Sequence, residues 1–527
     1  MGTLDWVVIG IFFLALIGII VWVVKQKQND SADYFLGGRD ATWLAIGASI
    51  FASNIGSEHL IGLAGAGASS GMAMAHWEIQ GWMILILGWV FVPFYSRSMV
   101  YTMPEFLERR YNPQSRTILS VISLISYVLT KVAVTVYAGG LVFQQVFGIK
   151  ELWGIDFFWI AAIGLVVLTA LYTIFGGMKS VLYTSVLQTP ILLLGSLIIL
   201  VLGFKELGGW DEMMSICSAV TVNEYGDTMT QLIRDNNDPN FPWLGALVGS
   251  AIIGFWYWCT DQFIVQRVLS GKNEKEARRG TIFGAYLKLL PVFLFLIPGM
   301  IAFALHQKYI GAGGEGFLPL LANGTANADA AFPTLVAKLL PAGVKGLVVC
   351  GILAALMSSL ASLFNSSAML FTIDFYKRFK PETPEKKLVG IGQIATVVIV
   401  ILGILWIPIM RSVGDVLYTY LQDVQSVLAP GIAAAFLLGI CWKRTSAKGG
   451  MWGLIAGMVI GLTRLGAKVY YSNAGEVADS TFKYLFYDMN WLFFCGWMFL
   501  FCIIVVIVVS QSSDCRKDSG TGIRHSY

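Results

Sequence analysis

Residues 51–67 read FASNIGSEHLIGLAGAG, placing Ser53, Asn54, Ser57, Glu58 and His59 inside a segment otherwise apolar enough to span a bilayer. In hydrocarbon every backbone N–H and C=O needs a partner, so such a stretch survives only where it is packed in protein or lines a wet cavity. Gly56, Gly62, Gly65 and Gly67 ease a local helix break. Broken helices at mid-membrane depth are how many secondary transporters build solute and ion sites. The spacing therefore predicts an interrupted spanning helix whose polar residues form a site.

The surroundings agree. The 527 residues are 56% hydrophobic and 13% charged, with mean hydropathy +0.70. A soluble chain carries nearly twice that charged share. Apolar runs long enough to cross fall near 4–24, 41–63, 70–96, 117–147, 155–175, 181–204, 243–266, 281–305, 342–376, 388–410, 413–440, 447–471 and 484–510, which predicts thirteen transmembrane helices. With the N-terminus outside, most Lys and Arg fall in inside loops, chiefly QRVLSGKNEKEARRG (266–280) and YKRFKPETPEKKL (376–388). The expected localisation is the cell membrane, multi-pass, in a bacterial inner membrane or a plasma membrane. Pro341 and Gly343 predict a short outer helix over 332–340 before the next span. No basic block suggests nucleic acid, and seven cysteines without metal spacing read as buried thiols. The run GAGGEG (311–316) follows no strand and the four histidines form no paired motif, so no enzyme is expected.

Several polar residues interrupt other spans. Glu78 in AHWEIQGW lies about eight residues into its span, roughly 12 Å at 1.5 Å per residue. It either binds hydroxyls, reaches the outer interface or pairs with a neighbouring cation, and Lys288 in FGAYLKLLPVFL is the partner type available. Alternatively Lys288 snorkels to the interface. Asn54, His59 and Gln422 add donors and acceptors with little net charge, which suits a neutral, hydroxyl-rich solute. Tyr257 and Trp258 in GFWYWCTDQFIVQR offer flat faces for a sugar ring, or belong to an interface belt. Asp261, Gln262, Gln266 and Arg267 read as an inner vestibule or salt-bridged gate. Ser358 and Ser359 in LAALMSSLASLFNSSAMLF suit a small hard cation, or bond back to the preceding turn.

ASNIGSEHLIGLAGAG, TMPEFLERR, WYWCTDQFIVQR, YLKLLPVFLFLIPGM, MSSLASLFNSSAMLFTIDFY and FLLGICWKR, in this order over about residues 30–465, resemble the sodium/glucose cotransporter family of the sodium:solute symporters. The resemblance implies an all-α LeuT-type core of two inverted five-helix repeats. These are expected over 41–204 and 243–440, after an extra helix within 1–30, with an extracellular loop at 205–242, two C-terminal helices within 441–510 and a cytoplasmic tail at 511–527. It implies sugar contacts from Asn54, His59, Glu78, Tyr257, Trp258, Lys288 and Gln422, and gates at Leu63, Trp77 and Tyr418. Sodium, the co-transported ion, is implied at the carbonyls of Ala52, Ile55 and Ala355 and the hydroxyls of Ser358 and Ser359.

Three departures stand out. Gly254 removes a polar side chain often found three residues before the Tyr-Trp pair. Ser185 and Ala361 weaken the case for a second sodium. The cysteine-rich outer loop and long cytoplasmic extension of animal members are missing. The expected function is sodium-coupled import of glucose or galactose by alternating access, one sodium per sugar, in a functional monomer. Alternatives are a sodium-coupled symporter of myo-inositol or another small solute, and a sugar-gated sensor or channel.

Overall fold

The computed structural model describes the chain except residues 27–29, 57, 322–323, 414–416, 474–479 and 513–527, and except the side chains of 129–130, 409–423 and 472–473. Ser57, Tyr418 and Gln422, all singled out in the sequence, lie outside the described residues or side chains, as does the 513–527 part of the tail. Ten helices among the described residues are long and apolar enough to cross a membrane.

The two longest of these are each long enough to cross twice. Glu58–Ser98 and Phe157–Leu207 hold 41 and 51 residues, about 60 and 75 Å at 1.5 Å per residue, twice a hydrocarbon core of about 30 Å. Each turns at a glycine with positive φ, Gly71 (71°) and Gly177 (52°). Splitting both, and adding the helical run at 113–147, recovers the thirteen crossings predicted from hydropathy.

Val344–Phe379 is the central element, with 89% of its apolar window buried inside the protein, against 22% for the first helix, Thr3–Lys25. Its N-terminal turn is capped from that first helix: the Asp5 carboxylate accepts the N–H groups of Gly343 (2.6 Å) and Gly346 (2.8 Å). The helix starts there because the preceding short helix, Ala331–Leu339, stops at an extended Leu340 followed by Pro341. Cys217, Cys259, Cys350, Cys495 and Cys502 are buried and Cys441 is exposed. Cys515 lies outside the described residues.

The 205–242 segment is docked rather than loose. Met72 N–H donates to the Met229 carbonyl at 2.8 Å, the Arg234 guanidinium donates to the Ser70 carbonyl, and Arg234 pairs with Asp238 at 3.4 Å. Burial pushes the Asp238 carboxyl up, but the N–H groups of Phe241 and Asn240, the Asn223 amide and Arg234 outweigh it and hold the group below the usual 3.8.

Candidate functional site

The break predicted in residues 51–67 is present. Trp43–Asn54 ends at an extended Ile55, and a π-helical turn, Glu58–Leu63, resumes the path. Of the glycines expected to ease it, Gly56 lies at the break, whereas Gly67 serves close packing: a Cβ there would lie 2.3 Å from the Leu296 carbonyl oxygen. A second break, which the sequence did not reveal, interrupts the first helix of the second half. Trp243–Phe255 passes into a π turn, Trp256–Thr260, and halts at extended Asp261, whose carboxylate caps Gln262–Leu269 through Phe263 N–H (3.1 Å). Interrupted helices at corresponding places in two halves, with π turns beside them, mark binding sites in transporters.

Between the breaks lies a buried cluster. Glu78 is 1% exposed, with Lys288 Nζ 2.6 Å from one carboxylate oxygen and His59 Nε2 3.2 Å from the other. Lys288 Nζ is also 2.8 Å from His59 Nε2. Holding a carboxylate at mid-membrane costs at least about 2.5–3.5 kcal/mol on insertion scales, and this pairing offsets it. Lys288 therefore does not snorkel. Its stem crosses the bare face of Gly81, where a Cβ would lie 2.6 Å from Lys288 Cγ, and its ammonium sits 5.7 Å from the Trp258 ring centroid. Asn54 donates to the Tyr257 hydroxyl at 3.0 Å, which leaves the Asn54 carbonyl oxygen and His59 Nδ1 without partners among the described residues.

These groups line a cavity with Asn54, His59, Tyr257, Trp258, Lys288 and Trp77 on its wall, joined by Glu58, Gln80, Ile253, Gly254 and Gln425. Glu78 and Leu63 are buried but are not among the lining residues; Glu78 stands behind, holding Lys288 and His59. Gln80, Gln425 and the half-exposed Glu58 were not read as ligands from the sequence, although Gln425 lies one turn after Gln422 on the same helix face. The cavity encloses about 20 Å³, room for a single water. Ligand pockets are an order of magnitude larger, so this conformation is contracted and a solute needs the helices to part.

On the other side of the first break is an oxygen-lined cleft. Ser359 Oγ donates to the Ser53 carbonyl (2.8 Å) and reaches the Ile55 carbonyl (3.4 Å). Ser358 Oγ and Ser185 Oγ are 3.3 Å apart, and Ser185 Oγ is 3.4 Å from Ser49 Oγ. Ala52 and Ala355 are buried. Gly56 permits this approach, since a Cβ there would lie 2.7 Å from Ser359 Oγ. Neutral hydroxyls and carbonyls freed by a helix break suit a hard cation that prefers oxygen. The Ser53 carbonyl, which the sequence reading did not include, lies in this cluster.

The residues expected to form a gate are held by contacts of their own. Asp261 pairs with Lys131 at 2.7 Å and accepts from the Tyr127 hydroxyl, and the Lys131 ammonium is 4.6 Å from the Tyr257 ring centroid. Gln266 joins the Phe35 carbonyl (2.7 Å) to Ser366 (2.7 Å), Gln262 accepts from Met103 N–H (2.8 Å), and Arg267 donates to Ser53 (3.1 Å).

Two facing helix breaks, a contracted polar cavity and a cluster of hydroxyls and carbonyls on one shared break suit an ion-coupled secondary transporter. The sequence pattern of the sodium:solute symporter family matches residues 34–457. The chain belongs to that family and is a sodium-coupled solute symporter with a LeuT-type fold. It is 39% identical over 475 residues to the human sodium/myo-inositol cotransporter 2, covering 88% of this chain and 69% of the relative. It is 37% identical over 531 residues to rabbit (Oryctolagus cuniculus) sodium/glucose cotransporter 1, covering 96% and 78%. In fold it resembles a Na+-coupled sialic acid symporter in a substrate-bound outward-open state, at 21% identity, 97% and 98% coverage and a TM-score of 0.78.

Proposed function

We propose that this symporter imports a neutral hexose, glucose or galactose, with one sodium per sugar, as a monomer. The observation that supports this most is the self-paired cluster of Lys288 and His59 on the cavity wall with Glu78 behind them. It offers hydroxyl donors and acceptors without a free charge from Glu78 or Lys288, and Tyr257 and Trp258 supply faces for a ring. In this reading Asn54, His59, Glu78, Tyr257, Trp258, Lys288 and Gln422 contact the sugar as the helices part. Trp77, Leu63 and Tyr418 close over it, and Ala52, Ile55, Ala355, Ser358 and Ser359 hold the ion.

Sodium in the Ser359 cleft stabilises the open form by drawing on carbonyls at the break, and so orders Asn54 and His59 on the opposite side. Sugar binding and closure follow. A sodium ion falling through 100 mV releases about 2.3 kcal/mol, and a tenfold gradient adds about 1.4. The sum sustains a several-hundredfold sugar gradient, so one ion is enough. The presence of Ser185 instead of a carboxylate beside Ser358 favours one ion over two.

The identity to myo-inositol cotransporters favours inositol as a second reading. Competition against sodium-dependent uptake of labelled glucose separates them. Displacement by glucose and galactose at concentrations where myo-inositol has no effect supports the hexose reading; stronger displacement by myo-inositol refutes it.

A further inference from the structure

Gln80 lies on the cavity wall, 6% exposed, and its Oε1 has no hydrogen-bond partner among the described residues. Buried amide oxygens are rarely left so. The space it fills exists because the residue across from it has no side chain: a Cβ at Gly254 would lie 2.4 Å from Gln80 Oε1 and 3.2 Å from its Cδ, closer than packed atoms come. The neighbouring Gly81 carries the Lys288 stem across its face, so the short turn Gln80–Trp82 holds the amide in fixed register with the Lys288 ammonium.

The Asn54 carbonyl oxygen and His59 Nδ1 are open on this wall as well, but the groups beside them are engaged. The Glu78 carboxylate is taken by Lys288 and His59, and the Asn54 amide nitrogen by Tyr257. The Gln80 amide is uncommitted. An amide pairs reciprocally with a hydroxyl, accepting its proton and donating to its oxygen.

We propose that Gln80, in the seat that Gly254 leaves open, is a specificity-determining residue that reads one hydroxyl of the bound solute. This rests on the polyhydroxy-solute reading above. A site built to hydrogen-bond one hydroxyl rejects the analogue lacking it far more strongly than a site that only shapes around it. Gln80 thus sets which ring position must carry a hydroxyl, and Gly254 keeps Gln80 in place.

The test uses the full-length protein in proteoliposomes. Glucose, its monodeoxy analogues and myo-inositol compete with labelled glucose in wild type, Gln80→Leu and Gly254→Ala. In wild type, one monodeoxy analogue is expected to bind about tenfold or more worse than glucose. In Gln80→Leu, glucose falls to the level of that analogue while the analogue keeps its own affinity, and every other analogue keeps its penalty relative to glucose. Gly254→Ala, by pushing Gln80 aside, gives the same pattern. Sodium-induced charge movement without sugar stays at the wild-type level in both variants, which reports intact folding. Gln80→Leu weakening all analogues by one common factor, or none, overturns the assignment and leaves the polyol reading standing. Failure of every compound to compete in wild type overturns the polyol reading, and this inference with it.

Discussion

The cavity in front of Glu78 and the cleft at Ser359 share one helix break but are built from opposite materials. The cavity is backed by full charges, Glu78 and Lys288, locked 2.6 Å apart. The cleft is lined by hydroxyls and backbone carbonyls that carry no formal charge. Paired charges present strong hydrogen-bonding groups to a solute that brings no charge of its own. Uncharged oxygens leave a bound cation's charge uncompensated, so it still feels the membrane field and leaves readily. The break couples them, because Asn54 faces one side while the Ser53 and Ile55 carbonyls face the other.

The comparison breaks most visibly at Glu78. Glu78→Ala should abolish sugar transport while sodium-induced charge movement persists. Leaving Lys288 buried and unpaired costs about 3–5 kcal/mol, so thermal stability should fall as well. Adding Lys288→Met should restore stability without restoring transport. Normal sugar uptake in Glu78→Ala would remove the cluster from the site.

On the cleft side, Ser359→Ala removes one oxygen from the proposed cation site. A hydrogen bond or ligand to a charged group is worth about 1.5–3 kcal/mol, so half-saturation for sodium should rise about tenfold or more, with sugar selectivity unchanged. An unaltered sodium requirement would place the ion elsewhere. Gly56→Ala tests the shared break more gently. Its Cβ, 2.7 Å from Ser359 Oγ, should overpack the contact by about 1 kcal/mol and weaken sodium about fivefold. Tighter sodium binding in that variant would contradict the geometry.

The smallest effect lies away from both sites, in the docked 205–242 segment. The Asp238 carboxyl is held below its ordinary value, so its contribution is present above the unfolded pKa near 3.8 and lost as pH falls through the lower folded value. Amide exchange at Asn240 and Phe241 should therefore rise on acidification below about pH 4, and Asp238→Asn should lack that step. An identical pH step in both proteins would assign it to another group.

Much of this was legible in the chain because hydropathy and length govern a membrane protein so strictly. The crossings, the stop at Pro341, the break at residues 51–67 and Lys288 as the partner for Glu78 all follow from what hydrocarbon forbids. What escaped depends on distance. Lys131 and Asp261 are 130 residues apart, and nothing in either span says they meet. The second break carries no proline or glycine within WYWCTDQ, so its interruption at Asp261 follows from packing. Gly254 reads from the sequence only as a lost side chain, and Gln80 as an ordinary residue of its span; that the one fills the seat left by the other depends on their meeting in space.

The central claim is coupling, and the most direct measurement is labelled glucose uptake into proteoliposomes under an inward sodium gradient, against an equal potassium gradient. The account predicts accumulation above equilibrium in sodium and none in potassium. Equilibration at the same rate in both salts, the behaviour of a uniporter, sensor or channel, would contradict it and would take the Ser358 and Ser359 assignment with it.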